Sequence, residues 1–255
     1  MSKLEFNIHG VDYVIDPLKN DKMPNGIDFW VNSWIAGWEQ KTFELFEKVK
    51  DKETNAIDIG GWIGATPIWL AKNFNELLVI EADKLAVKYL KANLKSSKCN
   101  NTVVIDKPIY STDKELVFGI NTDPNFKDVG LAYSTSQIKN DMVNELDYKI
   151  KAVTLADMND IFPFSKVSFV KVDIEGGEEY ILIDLIKNAE RYHWKLLLSF
   201  HYLWWKDANI EKYNNLFSNC KCNMVLDTNE EVPNESVMEY ISQKSNQFYT
   251  MYFDF

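Results

Sequence analysis

From residue 55 onward the chain alternates short apolar runs with longer stretches of helical periodicity, and this alternation limits the fold more than any other feature. Ala56–Ile59, Leu77–Ile80, Thr102–Ile105, Val167–Val172 and Lys195–Phe200 read as short buried strands. Ile63–Asn73, Asp83–Ser97, Gly177–Glu190 and Asp207–Ser218 read as helices, with Asp83 placed to cap the second. Strands separated by helices pair in parallel through right-handed crossovers. The last two strands, Cys222–Leu226 and Phe248–Phe253, have only turn material at Asn229–Asn234 between them and predict an antiparallel edge. The expected fold is α/β, a doubly wound, mostly parallel sheet of about seven strands with helices on both faces.

The flanking regions attach to that core. Leu4, Phe6 and Ile8, then Val11, Tyr13 and Ile15, alternate about His9-Gly10 and predict a hairpin. Phe29–Val49, with Trp30, Trp34, Trp38 and Phe43, predicts a helix broken near Gly37, its tryptophans directed to the core. Lys107–Tyr148 is irregular and predicts loops and hairpins, followed by a short strand at Lys149–Leu155. The 255 residues therefore read as one domain, 1–50 forming a hairpin and helical extension and 51–255 the wound core.

Charge narrows the partners. With 28 basic and 38 acidic residues the net charge is −10, which repels phosphate backbones and anionic lipid. Arg191 is the only arginine, so bidentate clamps on phosphate are nearly unavailable. Neither a nucleic-acid nor a membrane partner is expected. No run approaches the roughly 20 apolar residues of a membrane span, and the start lacks the pattern of a signal peptide. Cys99, Cys220 and Cys222 read as reduced structural thiols, and no metal set is apparent, so a cytoplasmic location is expected.

In such sheets ligands sit at the carboxyl ends of the strands, at the switch point. The first wound strand ends in Asp58-Ile59-Gly60-Gly61-Trp62-Ile63-Gly64, where Gly60 permits a tight turn and the following helix points its N-terminus at a ligand. Trp62 departs from the dinucleotide-binding glycine pattern and would crowd a pyrophosphate, which argues against a dehydrogenase. Glu81 ends the second strand, where a carboxylate accepts hydrogen bonds from ribose hydroxyls. The fourth ends in Lys171-Val172-Asp173-Ile174-Glu175-Gly176-Gly177-Glu178, with Lys171 and Asp173 on one face. Glu178 reads equally as a helix cap, and His201 follows the fifth strand at the same rim, as a candidate base.

These residues resemble the FkbM-type S-adenosylmethionine-dependent methyltransferases over about residues 30–205. The resemblance is carried by Asp58 to Gly64, by Val79-Ile80-Glu81 and by Phe169 to Glu178 (FVKVDIEGGE). Gly37 to Phe43 and Ala92-Asn93-Leu94 add to it. It implies a Rossmann-like class I methyltransferase fold with S-adenosyl-L-methionine as cofactor. Asp58, Gly60, Gly64 and Thr66 would then frame the methionine part, with Glu39 helping to close that end. Glu81 would hold the ribose, Asp106 would meet the adenine, and Asp173 would reach both cofactor and acceptor. Asp173 or His201 would take the acceptor's proton while Glu175 shapes its site. The family implies a hydroxyl acceptor on a sugar, glycan or small metabolite. The competing reading is a module of the same fold that has lost transfer.

Overall fold

A computed structural model describes residues 3–15, 34–120, 136–143, 145, 147–206, 209–244 and 246–255. The hairpin forms as the alternation dictates, β1 (Leu4–Ile8) against β2 (Val11–Ile15), and turns at His9-Gly10. The main sheet contains β3 (Asn55–Ile59), β4 (Leu77–Ile80) and β5 (Thr102–Ile105). A separate three-stranded sheet follows, with β6 (Glu115–Ile120) between β7 (Ser136–Lys139) and β8 (Tyr148–Lys151). The main sheet resumes with β9 (Val167–Val172) and β10 (Lys195–Phe200) and ends with β11 (Asn223–Val225), β12 (Glu230–Glu231) and β13 (Tyr249–Asp254).

Its order is β12-β11-β13-β10-β9-β3-β4-β5, parallel from β10 to β5 and antiparallel at β13, β11 and β12. This is a Rossmann-like, doubly wound fold. The chain winds outward from β3 through β4 to β5, then returns to β9 on the other flank of β3, so the switch point lies between β3 and β9. The sheet has eight strands rather than about seven, because two-residue β12 pairs onto the edge.

Helices cover both faces. Beside the hairpin lie α1 (Gln40–Val49), α2 (Ala65–Asn73) and α3 (Lys84–Ser96). On the other face lie α4 (Leu155–Ile161), α5 (Leu182–Tyr192) and α6 (Val237–Gln243). The pleat sorts alternate strand residues between two cores. Ile57, Ile59, Leu78, Ile80, Val170 and Val172 enter one, while Ala56, Leu77, Val79 and Phe169 enter the other with Trp34, Phe43, Phe46 and Trp69. Asp58 and Lys171 occupy that second face, at its carboxyl end.

Several expectations are corrected. Asp207–Ser218 is not an α-helix: Ile210–Tyr213 is a 3-10 turn, and Asn215 at φ +68° turns the chain away. Asp207 and Ala208 lie outside the described residues, as does Trp30. The first long helix begins only at Gln40. The expected helix at Gly177–Glu190 is a 3-10 turn, Gly177–Tyr180, followed by α5. α4 and α6 were not expected, and α6 stands between the two edge strands read as having no helix between them. Thr154 and Asp157 cap α4 reciprocally, each side chain bonding the other residue's backbone N–H. Among the described residues no helix is long and apolar enough to cross a membrane.

Candidate active site

The switch point carries charge into the interior. Asp58 on β3 stands directly across from Lys171 on β9. Asp58 is fully buried; its Oδ1 lies 3.4 Å from Lys171 Nζ, and its Oδ2 accepts from Thr66 Oγ1 at 2.6 Å. The same Nζ is 3.6 Å from Asp173 Oδ2. Burial opposes the lysine's charge, but Asp58, Asp173 and Glu39 outweigh it and hold its pKa above the usual range. Burial pushes Asp58 up against the pull of Lys171 and Thr66, and lifts Glu39 to about 8 against the pull of Lys171. Lys171 is thus a buried cation shared among three acids.

The loop after β3 is built by hydrogen bonds that cross the switch. Gly60 N–H donates to Ile80 O at 2.9 Å, and Asp173 N–H donates to Ile59 O at 2.9 Å. Gly60 adopts φ +93°, and a Cβ there would lie 1.8 Å from the Asp173 carbonyl oxygen. Glu81 is held from two sides: Oε2 accepts from Trp62 N–H at 2.7 Å and Oε1 from Asp83 N–H at 2.8 Å. These bonds fix the carboxylate and leave each oxygen a further lone pair for a ligand. Burial pushes Glu81 up to about 7, against those two amides. Asp83 caps α3 through the Leu85 and Ala86 amides, as its position in the sequence indicates.

Two open clefts meet over this loop and share part of their lining. Both are lined by Gly60, Trp62, Asp173 and Glu175. One lobe adds Trp38, Glu39, Thr66 and Lys171 and is strongly charged. The other adds Glu81 beside Ile80, Pro108, Ile109, Phe118 and Ile138 and is mostly apolar. The small sheet roofs this lobe. It is tied to the end of β4 by Ser136 Oγ donating to Asp83 Oδ2 (2.7 Å) and Tyr148 O–H donating to Ala82 O (2.6 Å). Glu39 (φ +54°), Trp62 (φ +44°) and Glu175 (φ +54°) all line the charged lobe in the left-handed region. Such strain in bulky residues persists where the surroundings impose it and gathers at functional sites.

Behind the junction stands His201, buried and absent from the lining of either lobe. Its Nδ1 is 2.9 Å from Glu178 Oε1, and its Nε2 is 3.6 Å from Asp173 Oδ1 and 3.5 Å from Glu175 Oε2. Glu178, fully buried, also accepts from Ile174 N–H at 3.0 Å and Trp205 Nε1–H at 3.3 Å. It makes no side-chain cap at the turn that follows, contrary to the capping reading, and instead supports the imidazole and the Ile174 amide. Burial opposes charge on His201, yet Glu178 and Glu175 outweigh it and lift the pKa to about 10. Burial likewise lifts Glu175 to about 8, with His201 opposing and Asp173 adding to the rise. A protonated imidazole behind two carboxylates is poorly placed to accept a substrate's proton.

The structure thus brings Glu39, Gly60, Thr66, Glu81, Asp173 and Glu175 together at one cleft, with Asp58 buried behind Lys171 and Thr66. Gly64 lies behind it as the N-cap of α2. Asp106 falls outside the lining, largely exposed and paired with Lys91 at 2.9 Å, while its neighbours Lys107, Pro108 and Ile109 face the lobe. Lys91 draws that carboxyl away from the cleft and holds its pKa below the usual range. Lys171 and Glu178 carry more of the site than the sequence indicates. Lys171 had one signal, its shared face with Asp173. Phe118 and Ile138 had none, being drawn from the irregular middle.

No protein-family model matches the sequence, and no curated protein matches it. Among solved structures the chain is similar to methyltransferase FkbM from Methylobacillus flagellatus KT, at 14% identity over 82% of this chain and 50% of that one, with a TM-score of 0.48. It is similar to an rRNA methylase from Streptococcus thermophilus at 10% identity, covering 84% and 93%, with a TM-score of 0.48. It is also similar to a TehB-like SAM-dependent methyltransferase from Corynebacterium glutamicum ATCC 13032 Kitasato at 12% identity, covering 91% and 97%, with a TM-score of 0.45. The chain spans half the length of the FkbM structure it matches. Identities this low transfer no residue roles.

Proposed function

We propose that the chain is an S-adenosylmethionine-dependent O-methyltransferase of the FkbM type, acting on a hydroxyl of a sugar, glycan or small metabolite. The observation that carries this reading is the two-lobed cleft. Its charged lobe offers Glu39, Asp173 and Lys171, a mixed set suited to the ammonium and carboxylate of an amino acid. Its other lobe sets a pinned carboxylate, Glu81, beside an apolar slot, suited to a ribose diol joined to a flat base. Trp62 lines both lobes where they meet.

When bound, S-adenosylmethionine supplies an electrophilic methyl group carried on a sulfonium. The chain has to bind, orient and deprotonate. Asp58, itself fixed by Lys171 and Thr66, orients the charged lobe. Asp173 stands where the lobes meet, partly exposed, with one oxygen toward Lys171 and the other toward His201. It holds the carboxylate that takes the hydroxyl's proton, and His201 serves as a positioning residue behind it. Glu175 flanks the acceptor.

A positioned base contributes about 10²–10⁴-fold. Asp173→Asn is therefore expected to lower turnover by about that factor while leaving the protein folded and able to take up cofactor. Transfer of a deuterated methyl group to a panel of glycans and small hydroxylated metabolites, followed by mass spectrometry, measures it. Full turnover in Asp173→Asn would refute the assignment of the base. Methylation of nitrogen but not of hydroxyl groups would refute the acceptor class. Cofactor binding without transfer to any acceptor would favour the inactive module.

A further inference from the structure

We propose that Asp173, Glu175 and His201 form a divalent-cation site at the junction of the two lobes. Asp173 Oδ1, Glu175 Oε2 and His201 Nε2 all lie within 4.8 Å of one another. A cation about 2.1 Å from each donor spaces tetrahedral or octahedral donors about 3.0–3.4 Å apart. The two imidazole–carboxylate separations, 3.6 and 3.5 Å, exceed that by only a few tenths of an ångström.

The histidine supplies the independent observation. It is 6% exposed, and its Nε2 points at both carboxylates without closing a hydrogen bond to either. A charge-assisted hydrogen bond draws such groups to about 2.7–2.9 Å, as its own Nδ1 does with Glu178 at 2.9 Å. The Nε2 contacts stand off instead, as ligands do around a shared centre. The Nδ1 bond is also what a metal-bound histidine needs, since a carboxylate there fixes the tautomer and the ring plane. Glu178 is in turn fixed by Ile174 N–H and Trp205 Nε1–H, and the ring lies flat against Trp204 at 5.4 Å between centroids. Three carboxylates crowd this corner, and Lys171 Nζ reaches Asp58 Oδ1 at 3.4 Å and the Asp173 oxygen turned away from the imidazole at 3.6 Å.

Two carboxylate oxygens and one imidazole nitrogen suit a first-row dication such as Mn²⁺ or Zn²⁺. In the gap the ion takes the place of the Nε2 proton, which leaves to solvent. Its remaining positions face the cleft through Asp173 and Glu175, which line both lobes. Resting on the methyltransferase reading, the ion holds the acceptor hydroxyl and lowers its pKa, with Asp173 a ligand through Oδ1 and its Oδ2 left to take the proton.

Titration of the full chain with Mn²⁺ alone, without cofactor, tests the site. Free ion is followed by its continuous-wave paramagnetic resonance signal and bound ion by pulsed nitrogen coupling. One ion per chain with imidazole-nitrogen coupling is expected. His201→Gln is expected to remove that coupling. Asp173→Asn and Glu175→Gln are each expected to weaken binding at least tenfold, and Glu178→Gln about 10–100-fold through the imidazole. Should His201→Gln fail to fold, the two partly exposed carboxylate variants still decide the question. No ion retained at millimolar Mn²⁺, nitrogen coupling that survives His201→Gln, or unchanged affinity in both carboxylate variants would overturn the proposal. Manganese bound by a chain that takes no S-adenosylmethionine would sink the methyltransferase reading and keep the site, and the reverse result would do the opposite.

Discussion

Gly60→Ala is expected to destabilise the protein by about 3 kcal/mol or more, from left-handed backbone strain of about 1–3 kcal/mol and overpacking of similar size. The overpacking comes from backbone, which yields least: the new Cβ would stand 1.8 Å from the Asp173 carbonyl oxygen and 3.1 Å from Ile174 Cγ2. Relief requires the ends of β3 and β9 to part, breaking the bond from Asp173 N–H to Ile59 O and displacing Asp173 itself. Gly10→Ala is the matched control. It has φ +74° and nothing within 4 Å of its Cβ, so it carries the strain without the collision. Urea denaturation of the two variants separates the terms. A Gly60→Ala loss no larger than that of Gly10→Ala would mean that the switch point is not as tightly closed as described.

Lys171→Met is expected to cost about 3–5 kcal/mol, because it removes the counter-charge of a buried set. Asp58 is fully buried, and Glu39 and Asp173 share the same cation. Methionine fills the volume, so the loss reports charge rather than a cavity. Adding Asp58→Asn should recover part of it, since the stranded carboxylate is then gone and Thr66 Oγ1 can still donate to an amide oxygen. The single and double variants, compared by chemical denaturation at pH 7, measure the coupling. A loss under about 1 kcal/mol in Lys171→Met would show that Asp58 is neutral in the folded protein and that the ion pair is not what organises the cleft.

The strands that place this cleft were legible because they are short apolar runs bounded by turn residues, buried on both faces except at the edge strand Thr102–Ile105. Leu77–Ile80, Thr102–Ile105, Val167–Val172 and Lys195–Phe200 fall where their apolar runs fall. With the strand ends fixed, Asp58, Glu81 and Asp173 had to share one rim. Short helices were less legible. α6 has only Val237, Met238 and Ile241 as its buried stripe and follows Pro233-Asn234, which reads as a turn. α4 was equally unexpected, although Thr154 and Asp157, three residues apart, form its capping pair. In Asp207–Ser218 the apolar spacing was helical, but Asn214-Asn215 leaves the helical region and the tertiary packing of Tyr213 and Phe217 sets the path. The direction of a side chain at the rim was the least legible feature. A strand end puts His201 near the cleft, yet Glu178, from the turn after β9, draws its ring behind Asp173. Lys91, one helix away, draws Asp106 off the lining.

Isothermal titration of the full chain with S-adenosylmethionine at pH 8 and pH 6 tests the central claim most directly. Glu81 in the free protein titrates at about 7 because it is buried, and its carboxylate form is the one that accepts from ribose hydroxyls. Lowering the pH protonates it before binding, so the sign is loss of affinity toward acid, about tenfold between the two pH values from Glu81, with protonation of Glu39 acting in the same direction. Micromolar binding at pH 8, about tenfold or more weaker at pH 6 and absent at both in a folded Glu81→Ala variant, is the expected result. No binding at either pH by the folded wild-type chain, or equal binding by Glu81→Ala, would contradict it.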